Sequence, residues 1–112
     1  MKIIKDKLTV KELNQAAEIF GDMVKAVVDI DRELIAMDAE LHSDLEALLL
    51  QDGSKQASLW GINLYPEAPA GEFIEFDSMI NLRPSQGNRS RGVENEALRR
   101  KIAAVVTKRI SR

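Results

Sequence analysis

The segment Arg83-Pro84-Ser85-Gln86-Gly87-Asn88-Arg89-Ser90-Arg91-Gly92 gathers groups able to hold an anion. Arg83, Arg89 and Arg91 offer planar, fork-shaped donors suited to a phosphate or carboxylate, and Ser85, Gln86, Asn88 and Ser90 set short polar groups beside them. Gly87 and Gly92 permit backbone conformations that aim successive amides into one concavity. The segment is not a P-loop, because no lysine and hydroxyl residue follow its glycine, and its glycines are wrongly spaced for a dinucleotide fingerprint. Two plainer readings stand beside an anion-binding loop: an ordered connection whose arginines pair with acidic groups of the body, and a mobile connector.

A second set of candidates is more dispersed. His42, the only histidine, lies in Asp38-Ala39-Glu40-Leu41-His42-Ser43-Asp44. With Glu40 and Asp44 it could ligate a metal or serve as acid or base, because imidazole titrates near neutrality. A surface histidine ahead of a helix cap is the simpler account, and no HExxH-like spacing marks a metal site. Asp29, Asn63, Glu75, Asp77 and Asn81 fall on predicted strands; sharing one face, they could hold a hard cation or share a proton, and otherwise they are solvated strand residues. Lys55 is a further candidate anion contact. Trp60 and Tyr65 belong to the core and its margin, since the three Phe that accompany them are too few for a base-stacking platform. No cofactor is implied.

The net charge of -2 conceals an imbalance along the chain. Residues 1–82 hold 7 Lys/Arg against 16 Asp/Glu, and residues 83–112 hold 9 against 2, so the local balances are −9 and +7. Such asymmetry marks an anionic partner or, as the plainer alternative, two regions that neutralise each other within the fold or across an oligomer.

Periodicity supplies the elements that must position these groups. Thr9-Val10-Lys11-Glu12 reads as a capping box, with Leu8 and Leu13 as its hydrophobic staple. Val10, Leu13, Ala16, Ala17 and Phe20 then predict a helix from about Val10 to Phe20, closed by Gly21. From Met23 the period becomes two, with Val24, Ala26, Val28 and Ile30 on one face. Asp31-Arg32-Glu33 turns the chain into a second apolar run from Leu34 to Ala39, an antiparallel hairpin. Ser43-Asp44-Leu45-Glu46 reads as a second capping box, followed by a helix with Leu45, Leu48 and Leu49 on one stripe and a stop at Asp52-Gly53. Leu59 to Tyr65 and Glu72 to Leu82 form a second hairpin, the latter strand with Ile74, Phe76, Ile80 and Leu82 on one face and Glu75, Asp77 and Asn81 on the other, polar face. Leu98, Ile102, Val105, Val106 and Ile110 make the stripe of a C-terminal helix, capped by Asn95, with Arg100, Lys101, Lys108 and Arg112 on its far side.

With a short strand at Lys2 to Lys5, the order is β-α-β-β-α-β-β-α. The fold class is therefore α+β: a mainly antiparallel sheet of four or five strands, built from two hairpins, with three helices packed on its apolar face. At 112 residues, 45% hydrophobic and 30% charged, the chain is one domain of ordinary globular composition. The lack of cysteine excludes disulfides and thiolate metal sites. No segment approaches the roughly 20 apolar residues of a membrane helix, and the start has no signal-peptide pattern, so a cytoplasmic protein is expected.

The stretches Gly21 to Asp29, Asp52 to Gln56 with Leu59 to Pro66, and Ile80 to Ser90 resemble a family of small prokaryotic proteins known as a domain of unknown function. The resemblance covers essentially the whole chain and implies no mechanism. The residues favour a binding module for an anionic ligand, a nucleic acid or a phosphate-bearing molecule, through the arginine loop. The alternatives are a small hydrolase or metal-assisted enzyme using His42 and strand carboxylates, and a protein–protein interaction subunit. No membrane association is expected, and self-association stays open.

Overall fold

The computed structural model describes residues 1–19 and 21–111. Within them the order is β1 Lys2–Ile4, β2 Leu8–Thr9, α1 Val10–Ile19, β3 Val24–Asp29, β4 Leu34–Met37, α2 His42–Gln51, β5 Leu59–Leu64, β6 Ile74–Glu75, α3 Glu96–Arg109 and β7 Ile110–Ser111. β1, β4, β3, β5 and β6 form, in that spatial order, an antiparallel sheet. The protein is thus α+β with three helices and a five-stranded sheet. β2 and β7 make a separate parallel pair, Leu8 opposite Ile110 and Thr9 opposite Ser111, which local periodicity does not reveal.

The first capping box forms as read: Thr9 Oγ1 accepts from the Glu12 N–H at 3.1 Å, and Glu12 Oε1 accepts from the Thr9 N–H at 3.4 Å. Asn95 caps α3 by accepting from the Leu98 N–H at 3.0 Å. Gly21 takes φ +95°, the left-handed conformation that ends α1. Phe20 and Arg112, which the periodicity assigns to the first and last helices, lie outside the described residues.

The helices do not share one face of the sheet. Alternate residues of β3 go to opposite sides: Val24, Ala26 and Val28 join Ile35 and Met37 of β4 and Trp60, Ile62 and Leu64 of β5 beneath α1 and α3. Val27, with Leu34, Ala36 and Leu59, packs instead under Leu45 and Leu49 of α2. The sheet is therefore covered on both sides, because the second stripe of β3 and β4 is also apolar and needs a helix of its own. Burying Leu45 and Leu49 completely contributes about 1.5–3 kcal/mol each.

Two local expectations are corrected. α2 begins at His42 rather than after Ser43; Leu41 occupies the cap position in extended conformation, and no side chain caps the helix. The earlier start lets His42 bond the sheet, a tertiary contact that overrides the local signal. The predicted strand from Glu72 to Leu82 pairs only at Ile74–Glu75. Beyond Asp77 the chain leaves the sheet and makes a single 3₁₀ turn, Met79–Asn81, capped by the Ser78 hydroxyl. Ile74 and Phe76 accordingly pack in the α1/α3 core and Ile80 in the α2 core, while Leu82 is exposed.

Candidate functional site

The turn that replaces the end of the second hairpin is built around Asn81, which is fully buried. Its Oδ1 accepts from the Gly61 N–H at 2.8 Å, and its Nδ2 donates to the Gly61 and Arg91 carbonyls, both at 2.9 Å. A side-chain amide thus takes the place of a strand residue beside β5. Gly61 is required opposite: a Cβ there would lie 2.5 Å from Ser78 Cβ.

Arg83 continues along the same edge. Its side chain is only 8% exposed, and it donates to the carbonyls of Ile80 (2.9 Å), Gln56 (2.8 Å) and Leu59, with Glu46 at 3.4 Å and the Trp60 ring centroid 4.7 Å from its guanidinium carbon. Burial draws its pKa below the usual guanidinium value and Glu46 partly restores it. Asn88 is buried as well, donating to the Asn81, Ser90 and Gly92 carbonyls and accepting from the Glu94 N–H. The backbones of Arg83 and Asn88 pair with each other, and Gly87 closes the turn between them at φ +81°. Arg83 and Asn88 therefore hold the loop together instead of presenting donors to solvent.

Of the remaining loop candidates, Ser85 and Gln86 are exposed, and Gln86 Nε2 donates to the Ala57 carbonyl at 3.4 Å, on the side of Arg83. Arg89 and Ser90 are exposed, the Arg89 N–H bonding Glu94 at 2.5 Å. Arg91 leads elsewhere. Its Nε donates to Asp77 Oδ1 at 2.8 Å, and its two Nη groups make no hydrogen bond among the described residues. The side chain enters a cleft of about 180 Å³ on the α2 side of the sheet, together with Lys25, His42, Ser43 and Ser78.

His42 Nε2 lies 2.8 Å from the Ile62 carbonyl. A carbonyl only accepts, so Nε2 carries the proton and the neutral ring leaves Nδ1 as an acceptor. Burial holds the imidazole below its ordinary pKa; the Ile62 carbonyl opposes this, Lys25 and Arg91 add to it and Asp77 opposes it. Lys25 Nζ donates to the Glu40 carbonyl at 2.8 Å, which fixes the ammonium at the cleft's edge with two donors to spare. The cleft thus combines two cations, two hydroxyls and the uncapped first turn of α2, whose N-terminus favours negative charge.

The strand carboxylates do not gather as a single cluster. Asp77 reaches the cleft through Arg91. Asn63, next to Lys25 in the β3–β5 register, donates to Glu75 Oε1 at 2.8 Å, and its buried Oδ1 has no partner among the described residues. Asp29 is fully buried far along β3, about 13 Å from Lys25 at the rise of an extended strand. There it accepts from the Asp31 and Arg32 N–H groups and from Ser54 Oγ, organising the β3–β4 turn. Asp44 is exposed, and Lys55 lines a different depression beside Asp31 and Arg32. Among the described residues no three His, Asp or Glu side chains are grouped as a metal site requires. Trp60 is in the core, and Tyr65, half buried, donates to Glu75 at 3.0 Å. The largest cavity described, about 520 Å³ on the opposite side between Phe73 and Val106, carries no titratable side chain.

Compared with known families, residues 2–109 match the one described as a protein of unknown function, DUF5674. The chain belongs to the DUF5674 family. No curated protein and no solved structure matched it. In this DUF5674 chain, then, the placement of side chains is what bears on function. Reasoning from sequence found Arg91, His42 and Asp77 but missed Lys25, Ser43 and Ser78 as their companions. The one available signal was Lys25 itself, a cation within the apolar alternation of β3; Ser43 reads locally only as a helix cap, and Ser78 carries no mark of a binding role.

Proposed function

We propose that this protein is a binding module for a small anionic ligand bearing a phosphate or a comparable oxyanion, held in the cleft between α2 and the Asp77–Arg91 loop. The observation that carries the reading is the convergence of Arg91, Lys25, His42, Ser43 and Ser78 in one cleft from four separate chain segments. Arg91 offers two free Nη groups for bidentate contact, Lys25 a point charge, and the serines and α2 amides neutral donors. His42 contributes an acceptor at Nδ1 when neutral and becomes a second donor on protonation.

A polyanion such as nucleic acid is less well served. Lys108 pairs with Glu33 at 3.2 Å, Arg109 donates to the Glu33 carbonyl at 2.7 Å, and Arg99 bonds the Val93 carbonyl, so much of the basic surface of α3 is already engaged. Such binding would also weaken steeply with salt through counterion release, far more than capture of one phosphate group.

The test is a titration with inorganic phosphate at low salt, followed by amide and imidazole NMR shifts. Shifts are expected at His42, Ser43, Ser78 and Arg91, with the affinity falling about tenfold in Arg91→Ala, as loss of a charge-assisted hydrogen bond implies. Arg91 is more than half exposed in its pair with Asp77, so the variant keeps its fold. Absence of binding at low salt, or shifts confined to α3, would overturn the proposal.

A further inference from the structure

Resting on the anion-binding reading above, we infer that the ligand is an amphiphile, with an anionic head in the Arg91–His42 cleft and an apolar chain lying across Lys25 into the groove formed by Ile19, Met23 and Ala39. Large apolar side chains left in water call for an explanation when they cluster. Ile19 is 73% exposed, Leu41 55% and Met79 65%. Leu41 and Met79 line the same cleft as Arg91 and His42, and Ile19 lines the neighbouring groove of about 440 Å³. Lys25 is a wall of both.

Size supports the union. The polar cleft, at about 180 Å³, is smaller than the roughly 300–1,000 Å³ of small-molecule sites, and it takes a head group only. Adding the groove brings the site into that range. Charge fixes the direction: the lining of the groove includes an acidic residue, Glu40, which disfavours an anion, whereas the lining of the cleft includes Arg91. The head therefore seats on the His42 side and the chain on the Ile19 side. Alkyl phosphates and fatty carboxylates share this chemistry.

The experiment compares inorganic phosphate, octyl phosphate, octanoate and octanol on the full chain, all below micellar concentrations. A fully buried methylene raises affinity about fourfold, so even four half-covered ones make octyl phosphate more than about tenfold tighter than phosphate. Octanol should bind far more weakly than octyl phosphate, and comparison with octanoate tells a phosphate head from a carboxylate head. NMR shifts are expected at Ile19, Met23 and Ala39 in addition to the cleft. Ile19→Ser, at an exposed position, should remove much of the gain and leave phosphate binding unchanged. Phosphate binding with no gain from the alkyl chain overturns the amphiphile and leaves the anion site standing; failure of both phosphate and octyl phosphate overturns both. A gain unaffected by Ile19→Ser, with shifts at Phe73 and Val106, places the chain in the other cavity and also overturns the inference.

Discussion

Arg83 separates a scaffold arginine from a ligand arginine, and Arg83→Lys measures the difference. Lysine keeps the charge but replaces a planar fork with a single ammonium. Arg83 now serves three carbonyls, those of Ile80, Gln56 and Leu59, from three different nitrogens, and faces the Trp60 ring at 4.7 Å. One ammonium on a flexible stem cannot reach all three, so one or two buried acceptors lose a charged donor, at about 1–3 kcal/mol each. Loss of the stacked guanidinium adds roughly 0.5–1 kcal/mol. For one lost acceptor the sum is about 1.5–4 kcal/mol, which at a urea slope of about 1–3 kcal/mol per molar lowers the midpoint by roughly 0.5–4 M. Trp60 is the only tryptophan and touches the altered site, so its fluorescence reports the transition. Phosphate affinity, measured where the variant is still folded, should stay within about twofold of the parent, because the donors lost face the protein. A variant with an unchanged midpoint and tenfold weaker phosphate binding would refute this assignment and return Arg83 to the binding surface.

Two further outcomes follow from the same edge of β5 and from the cleft. Gly61→Ala should cost about 1–3 kcal/mol through overpacking, since the new methyl lies 2.5 Å from Ser78 Cβ and 3.1 Å from Ile80 Cγ1. Thermal melting of the double variant with Ser78→Gly should recover part of that loss, whereas purely additive costs would show that the collision is not the cause. His42 is held below its ordinary pKa, so the folded protein binds fewer protons than the unfolded chain as pH falls below about 6.5. The stability contributed by the neutral ring is present above that pH and is lost as pH falls toward the depressed folded value. Urea midpoints from pH 8 to 5 should therefore decline more steeply in the parent than in His42→Gln. Sulfate, which does not titrate in this window, should bind more tightly at pH 5 than at pH 8 in the parent and show a flatter profile in His42→Gln; equal profiles would remove His42 from the site.

The parts of the fold legible in the sequence are those whose signal is local. The Thr9/Glu12 box, the Asn95 cap and the alternation in β3 act over a few residues and are realised as read. What misled was a pattern with two physical meanings. Ile74, Phe76, Ile80 and Leu82 are spaced as one face of a strand, yet Ser78 and Asn81 in the same stretch can cap a turn and imitate a peptide group. The edge of β5 was satisfied by the second option, which sends Ile80 to the opposite core from Phe76. Ser43 and Asp44 carried a valid cap signal as well, overruled by one bond between His42 and Ile62 that no local rule contains. The candidate site was legible only in fragments for the same reason: its residues come from β3, α2 and the two ends of a long loop, and only the sheet register and the Asn81 turn bring them together.

That turn also changes the meaning of the basic final third of the chain. As charge alone, +7 over residues 83–112 suggests a surface waiting for a polyanion. In the fold Arg83 is interior, Arg91 faces Asp77, Arg100 faces Glu96, and Lys108 and Arg109 both reach Glu33. Arg89 and Lys101 are left with side chains that make no ion pair among the described residues, and they do not line the cleft. Arg83, Arg91 and Lys108 thus answer Glu46, Asp77 and Glu33 of the first 82 positions, Arg100 answers its own helix, and Arg99 and Arg109 are held by backbone carbonyls. Exposed pairs of this kind contribute at most about 1 kcal/mol apiece, so they do more to cancel the surface field than to stabilise the fold. A protein arranged in this way has little long-range attraction for a polyanion, and selectivity for an anion must come from short-range geometry. Arg91 is where the two requirements meet, since one nitrogen balances Asp77 and the others remain open beside Lys25 and His42.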